Sequence, residues 1–145
     1  MKRAIRLANS VKGEIPVGAL IIKDGEIIAE TFNQKETLND VTAHAEILAI
    51  REAEQKLGRW RLDDCEMYVT LEPCPMCAWA IVSSRIKAVY FGSYDNNYGA
   101  LGSVIDVRKL ANSKLKVYGG IMEEECDKIL KEYFKELRDD YKNRD

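Results

Sequence analysis

Between Met67 and Gly92 the chain reads strand, helix, strand, and this stretch restricts the possible folds more than any other. Met67 to Leu71 is a short strand run that leads into Pro73, and Pro75 through Ser84 resumes helix. Proline is tolerated in that first turn because its missing N–H has no helical partner to lose. Lys87 to Gly92 is the next strand. Two strands joined by a helix of about ten residues form a βαβ unit, which favours parallel pairing and a right-handed crossover. Earlier in the chain, Val17 to Ile22 and Ile27 to Thr31 flank Lys23-Asp24-Gly25-Glu26, whose Asp-Gly pair suits a tight antiparallel hairpin. A sheet that holds both units is mixed.

Helical stretches surround these strands. Ala4, Ile5, Ala8 and Val11 recur at helical spacing, which predicts an amphipathic helix that Gly13 stops. From Thr42 to Lys56 the chain is rich in helix formers and sets Ile47, Ile50 and Ala53 on one face, with the helix beginning at His44. Leu115 to Tyr118 adds a fifth strand. From Glu123 onward Cys126, Ile129, Leu130, Tyr133, Leu137 and Tyr141 make a helical stripe, opened by three glutamates as the helix dipole favours. Helices on both faces of a mixed five-stranded sheet give a three-layer α/β/α fold. With 145 residues, 46% of them hydrophobic, and neither a repeat nor a linker-like stretch, the chain suits one domain spanning 1–145.

Charge and cysteine content narrow the function classes. Lys and Arg number 22 against 24 Asp and Glu, so a net charge of -2 gives no global attraction to nucleic acid or membrane. A polyanion partner has to be met by a local patch. No apolar run approaches the roughly 20 residues of a membrane span, and the opening MKRAIRLANS lacks a signal-peptide core, so a cytoplasmic protein is expected. Reduced thiols suit that setting. Cys65 and Cys126 lie among apolar neighbours and read as buried structural thiols, whereas Cys74 and Cys77 invite a metal.

The chemistry sits in two motifs, His44-Ala45-Glu46 at one helix start and Pro73-Cys74-Pro75-Met76-Cys77 at another. Cysteines three apart on a first helical turn lie on one side, so both thiolates can reach one ion, with the imidazole of His44 as a third ligand. Three protein ligands leave a fourth tetrahedral position for water, the arrangement of a catalytic zinc. A carboxylate beside it, Glu46, can then carry protons for a hydrolytic deamination. Singly, each motif has a plainer reading: a lone CxxC is more often redox-active or part of a closed zinc knuckle. Together and in this order, H-x-E and P-C-x-x-C are the signature of zinc nucleobase deaminases.

Over nearly its whole length the chain also resembles the bacterial tRNA-specific adenosine deaminases. The resemblance lies in EIPVGALI, TAHAEILAIREA, YVTLEPCPMCAWAI, SRI and FGSYDNNYGALGS, and in the tail GIMEEEC with Tyr133 and Phe134. It implies a cytidine deaminase-like fold, one zinc per subunit on His44, Cys74 and Cys77, Glu46 as proton shuttle, and a homodimer that converts the wobble adenosine of a tRNA anticodon stem-loop to inosine. It also implies that Asn33 bonds the base edge, that Asp95 stands near the ribose, and that Ala45, Leu71 and Glu72 line the pocket. Without the resemblance, Asn33 reads as a strand end and Asp95 as a turn cap.

The chain departs from the family pattern at Val41, where Pro is usual, at Trp79, where Gly is common, and at Ser83 and Ser113, each in place of a frequent His. None of these is a zinc ligand. Trp79 and the helix after Cys77 are where exposed apolar surface, and hence a dimer contact, is expected. Arg108, Lys109, Lys114 and Lys116, with basic residues between 56 and 61, are candidates for a phosphate-binding rim. Two other readings use the same motifs: a deaminase of a free base or nucleoside such as guanine or cytidine, and a non-catalytic zinc module, which requires a fourth protein ligand.

Overall fold

A computed structural model describes residues 1–144. In chain order the elements are α1 (Lys2–Asn9), β1 (Gly18–Lys23), β2 (Glu26–Phe32), α2 (Ala45–Leu57), β3 (Cys65–Leu71), α3 (Pro75–Ser83), β4 (Ala88–Ser93), α4 (Val107–Ala111), β5 (Lys116–Tyr118) and α5 (Glu123–Lys142). The five strands form one sheet in the order β2-β1-β3-β4-β5. β1 runs antiparallel to β2 and β3, while β3, β4 and β5 are parallel, so the sheet is mixed as the hairpin and the βαβ unit require.

Local chemistry explains the hairpin. Asp24 and Gly25 take φ of 50° and 75°, both left-handed, and a two-residue turn of that kind matches the twist of its strands. Lys23 then pairs with Glu26.

Side chains alternate across the sheet, and each face is covered differently. Ala19, Ile21, Met67, Val69, Val89 and Phe91 belong to the main core, with Ala49 and Ala53 of α2 and Ala78 and Ile81 of α3. On the opposite face α1 lies against Gly18: a Cβ there would stand 2.1 Å from the carbonyl oxygen of Ala4. Gly92 admits α5 in the same way, since a Cβ would meet Cys126 Sγ at 2.2 Å. These contacts give the three layers, and Cys65 and Cys126 are buried thiols as expected.

Three details differ from the sequence reading. The first helix ends at Asn9, short of Gly13, because Ser10 closes it through bonds from its N–H and hydroxyl to the Leu7 carbonyl, which leaves Val11 in the connection to β1. α4 was not anticipated: at five residues it is too short for periodicity, and its N-cap Asp106 and its left-handed terminus Asn112 are residues that also mark loops. In α5 only the first half of the stripe meets the sheet. Cys126 and Ile129 are buried, whereas Leu137 and Tyr141 are exposed, since a helix of 20 residues, about 30 Å long, outruns a six-residue strand of about 20 Å.

Gly18→Ala should destabilise the protein by about 2 kcal/mol, because the added methyl meets backbone that cannot yield. Thermal unfolding followed by circular dichroism should show the midpoint falling by roughly 5 °C.

Candidate active site

Two helix starts meet at the end of the sheet where β3 and β4 finish. His44 caps α2 in extended conformation (φ -70°, ψ 153°), and Cys74 caps α3 likewise (φ -71°, ψ 171°), with Pro75 in the first turn. The Thr31 hydroxyl donates to the Ala45 carbonyl at 2.6 Å and ties the start of α2 to β2. Buried Glu14 holds the intervening loop by accepting from the Glu36 N–H at 2.5 Å and the Thr37 hydroxyl at 2.6 Å.

His44 Nδ1 thereby faces Cys77 Sγ at 3.4 Å and Cys74 Sγ at 3.7 Å, and the three donor atoms lie within 4.8 Å of one another. A tetrahedral zinc with bonds of about 2.3 Å to sulfur and 2.0 Å to nitrogen separates such donors by roughly 3.5 Å. Two thiolates and one imidazole therefore fit one zinc ion without rearrangement. No fourth protein ligand joins them among the described residues. That leaves the fourth position open, contrary to what a closed structural site requires.

The charges around the cluster are strongly perturbed. Burial pushes the Glu46 carboxyl up to about 7, and the Cys74 thiolate adds to the effect. Cys74 is lowered to about 4, chiefly because the Cys77 thiol donates to it, with His44 also contributing. Cys77 is correspondingly raised, by that same bond and by burial. His44 is raised by hydrogen bonding to Cys74. The helix N-termini further favour negative charge at this point.

His44 and Cys74 line a cavity of about 320 Å³, with Cys77 buried behind them. Asn33, Ala45, Glu46, Leu71, Glu72 and Asp95 all line it. The details are more specific than the sequence allowed. Asn33 Nδ2 donates to the Ile15 carbonyl at 3.0 Å and its Oδ1 accepts from the Lys35 N–H at 3.2 Å, so the amide is locked in the wall. Asp95 Oδ1 accepts from the N–H groups of Asn97 and Tyr98, both at 3.0 Å, so this residue does cap a turn while it lines the cavity. The Glu72 carboxylate is 1% exposed and accepts from the N–H groups of Asp95, Leu101 and Ser103 and from the Ser103 hydroxyl.

Ile15, Val17, Lys35 and Tyr98 also line the cavity and were missed. They lie in connections, where periodicity carries no signal. The expected basic rim is not found there. Lys35 is the one lysine or arginine among the described residues lining the cavity; Arg108 pairs with Asp106, Arg59 with Asp63 and Asp64, Arg61 with Asp63, and Lys114 and Arg61 line a separate cleft. That cleft includes Lys87 and Leu115, just ahead of β4 and β5, at the end of the sheet opposite the cluster.

A zinc ion held by His44, Cys74 and Cys77 would supply a Lewis acid able to activate water. The cysteine pair sets how the metal binds. Cys74 is already ionised at neutral pH, whereas Cys77 must give up its proton. Zinc affinity should therefore rise about tenfold per pH unit near neutrality and more steeply on the acid side, where His44 must also lose a proton. Competition with a chromophoric chelator between pH 5.5 and 8 measures this slope; a flat profile would contradict the shared-proton arrangement.

Residues 1–93 match the family model for the cytidine and deoxycytidylate deaminase zinc-binding region, which includes His44, Glu46, Cys74 and Cys77. The tRNA-specific adenosine deaminase of Bacillus subtilis is 46% identical over 142 residues, covering 95% of this chain and 88% of that one. A structure solved in a study of A-to-I editing by tRNA:A34 deaminases superposes with a TM-score of 0.84 at 43% identity, covering 90% of this chain and 97% of the other. The guanine deaminase of Bacillus subtilis superposes less well, with a TM-score of 0.60 at 38% identity over 77% of this chain and 87% of that one. With its three-ligand cluster and its likeness across nearly the full length, the chain belongs to the zinc-binding cytidine and deoxycytidylate deaminase family, alongside the tRNA-specific adenosine deaminases.

Proposed function

We propose that this protein hydrolyses the 6-amino group of the wobble adenosine in a tRNA anticodon, releasing ammonia and leaving inosine. The observation that carries the proposal is the open His44, Cys74 and Cys77 cluster with a buried Glu46 beside it, in a chain similar along almost its whole length to tRNA-specific adenosine deaminases. Three chain groups act as metal ligands and one as the acid–base catalyst. Buried Glu46 can accept one proton from the attacking water and deliver it to the ring nitrogen, then take the second from the newly formed hydroxyl and deliver it to the departing amine, which leaves as ammonia. Water is the second reactant, and no redox partner enters the balance.

The remaining residues orient the base. The fixed Asn33 amide retains one N–H and a lone pair for the base edge. Ala45 offers a first-turn N–H that has no helical partner. Leu71 and Val17 provide apolar wall, and the second oxygen of Asp95 is free to accept from a ribose hydroxyl. An anticodon loop suits such a site, because its bases are already available for extrusion into a pocket.

A tRNA substrate and unpaired cysteines support a cytoplasmic location. No helix among the described residues is long and apolar enough to cross a membrane. A homodimer is supported by an exposed apolar surface on neighbouring elements: Trp79 on α3 is 50% exposed, Leu110 on α4 75% and Val104 ahead of α4 52%. Each copy brings one zinc site within its single domain.

The wild type should form inosine in a tRNA or anticodon stem-loop with adenosine at the wobble position, and Glu46→Ala should slow this roughly a thousandfold. Nucleoside analysis of digested RNA reads the product; turnover of free guanine, cytidine or adenosine in its place would reassign the substrate. Trp79→Asp should convert a dimer to a monomer in analytical ultracentrifugation, and an unchanged sedimentation coefficient would move the contact to another surface.

A further inference from the structure

Tyr98 lines the catalytic cavity yet is 69% exposed, an unusual condition for a large aromatic side chain beside a reaction centre. Its backbone is nonetheless fixed. Its N–H is held by Asp95 Oδ1 at 3.0 Å, and the next residue's N–H bonds the Asp95 carbonyl at 2.9 Å. Ala100 N–H then bonds the Pro73 carbonyl at 2.9 Å, and Glu72 clamps the loop at Asp95, Leu101 and Ser103. Gly99 lets the loop sit directly on that carboxylate, since a Cβ there would lie 2.5 Å from the Glu72 carboxyl carbon. Tyr98 is thus presented to solvent by a rigid loop, with only its two side-chain torsions free.

Resting on the RNA deaminase reading above, we propose that Tyr98 is a stacking platform for the nucleobase adjacent to the target adenosine, and that Glu72 positions it through the loop. The target base must reach His44, Cys74 and Glu46 inside the cavity, so the exposed ring of Tyr98 meets a neighbouring nucleotide. Stacking also supplies what charge does not. Lys35 is the one lysine or arginine among the described residues lining the cavity and the net charge is -2, so phosphate contacts there are few. Exposed bases of single-stranded loops stack readily on aromatic side chains, and tyrosine loses little freedom in doing so. A free nucleoside has no neighbour to stack, so the contact would favour polynucleotide substrates.

The test measures kcat and KM for an anticodon stem-loop with wild type, Tyr98→Ala and Tyr98→Phe, each on the intact loop and on loops made abasic at either nucleotide flanking the target. Tyr98→Ala should raise KM roughly tenfold on the intact loop, with a much smaller change in kcat and with zinc content retained. Tyr98→Phe should stay close to wild type. On one of the two abasic loops the difference between wild type and Tyr98→Ala should disappear. An Ala variant within twofold of wild type in KM, a Phe variant as impaired as Ala, or an equal Ala penalty on both abasic loops would overturn the platform. A wild type that leaves adenosine intact in every loop would overturn the RNA reading itself, and the platform with it.

Discussion

The starts of α2 and α3 meet over the finishing ends of β3 and β4, and His44 and Cys74 are each the last extended residue before their helix turns. This crossing of two helix N-termini fixes the chemistry. Each start leaves backbone N–H groups unpaired and directs partial positive charge at the same point. Thiolates are favoured there, and so is the metal they bind. The geometry also brings Glu46, the second residue of α2, against the cluster without making it a ligand, and burial raises its carboxyl above the usual carboxylate range. A carboxyl whose pKa lies closer to the working pH than a free glutamate's exchanges protons more readily there.

Because helix starts depend on the loops that feed them, the molecule spends several buried polar groups on loop geometry. Glu14 secures the loop before His44, Thr31 secures the entry to α2, and Glu72 secures the loop that carries Asp95 and Tyr98. All three are buried, and no buried side-chain polar atom lacks a partner among the described residues. Buried carboxylates are tolerated when backbone N–H groups saturate them. Glu72 illustrates this well: within one motif, the residue two before Cys74 organises the wall and the cysteines organise the cluster.

The sheet does for the site what the loops cannot, which is to hold the parts at fixed spacing. β1 enters the sheet at the same end where the parallel strands leave it, so Ile15 and Val17, just ahead of β1, stand beside Leu71 and Glu72, just at the end of β3. Gly18 and Gly92 permit α1 and α5 to close the opposite face. That arrangement frees the α2 and α3 layer to carry the chemistry, while α3 and α4 turn apolar side chains outward.

Sequence alone determined the elements with strong periodic or turn signals and the chemistry of the cluster. The Asp24-Gly25 turn, the βαβ unit and the two short motifs are local patterns whose physics is complete within a few residues. His44, Cys74 and Cys77 were legible for that reason, since metal ligation restricts both residue type and spacing, and Glu46 was legible as the carboxylate two residues after the histidine in the same short motif. What only the tertiary structure decided was set by contacts between distant segments. Ile15, Val17, Lys35 and Tyr98 join the cavity because loops far apart in the chain converge there, and no local pattern records convergence. The basic residues at 59, 61 and 108 became partners of nearby aspartates, and Lys114 went to a cleft at the far end of the sheet, because charge is a property of a residue whereas a patch is a property of a surface. Glu72 shows the division most plainly: only the family resemblance pointed to it, and the fold turned its carboxylate to the loop, where four donors separated by up to eight residues in the chain come within reach of one buried charge.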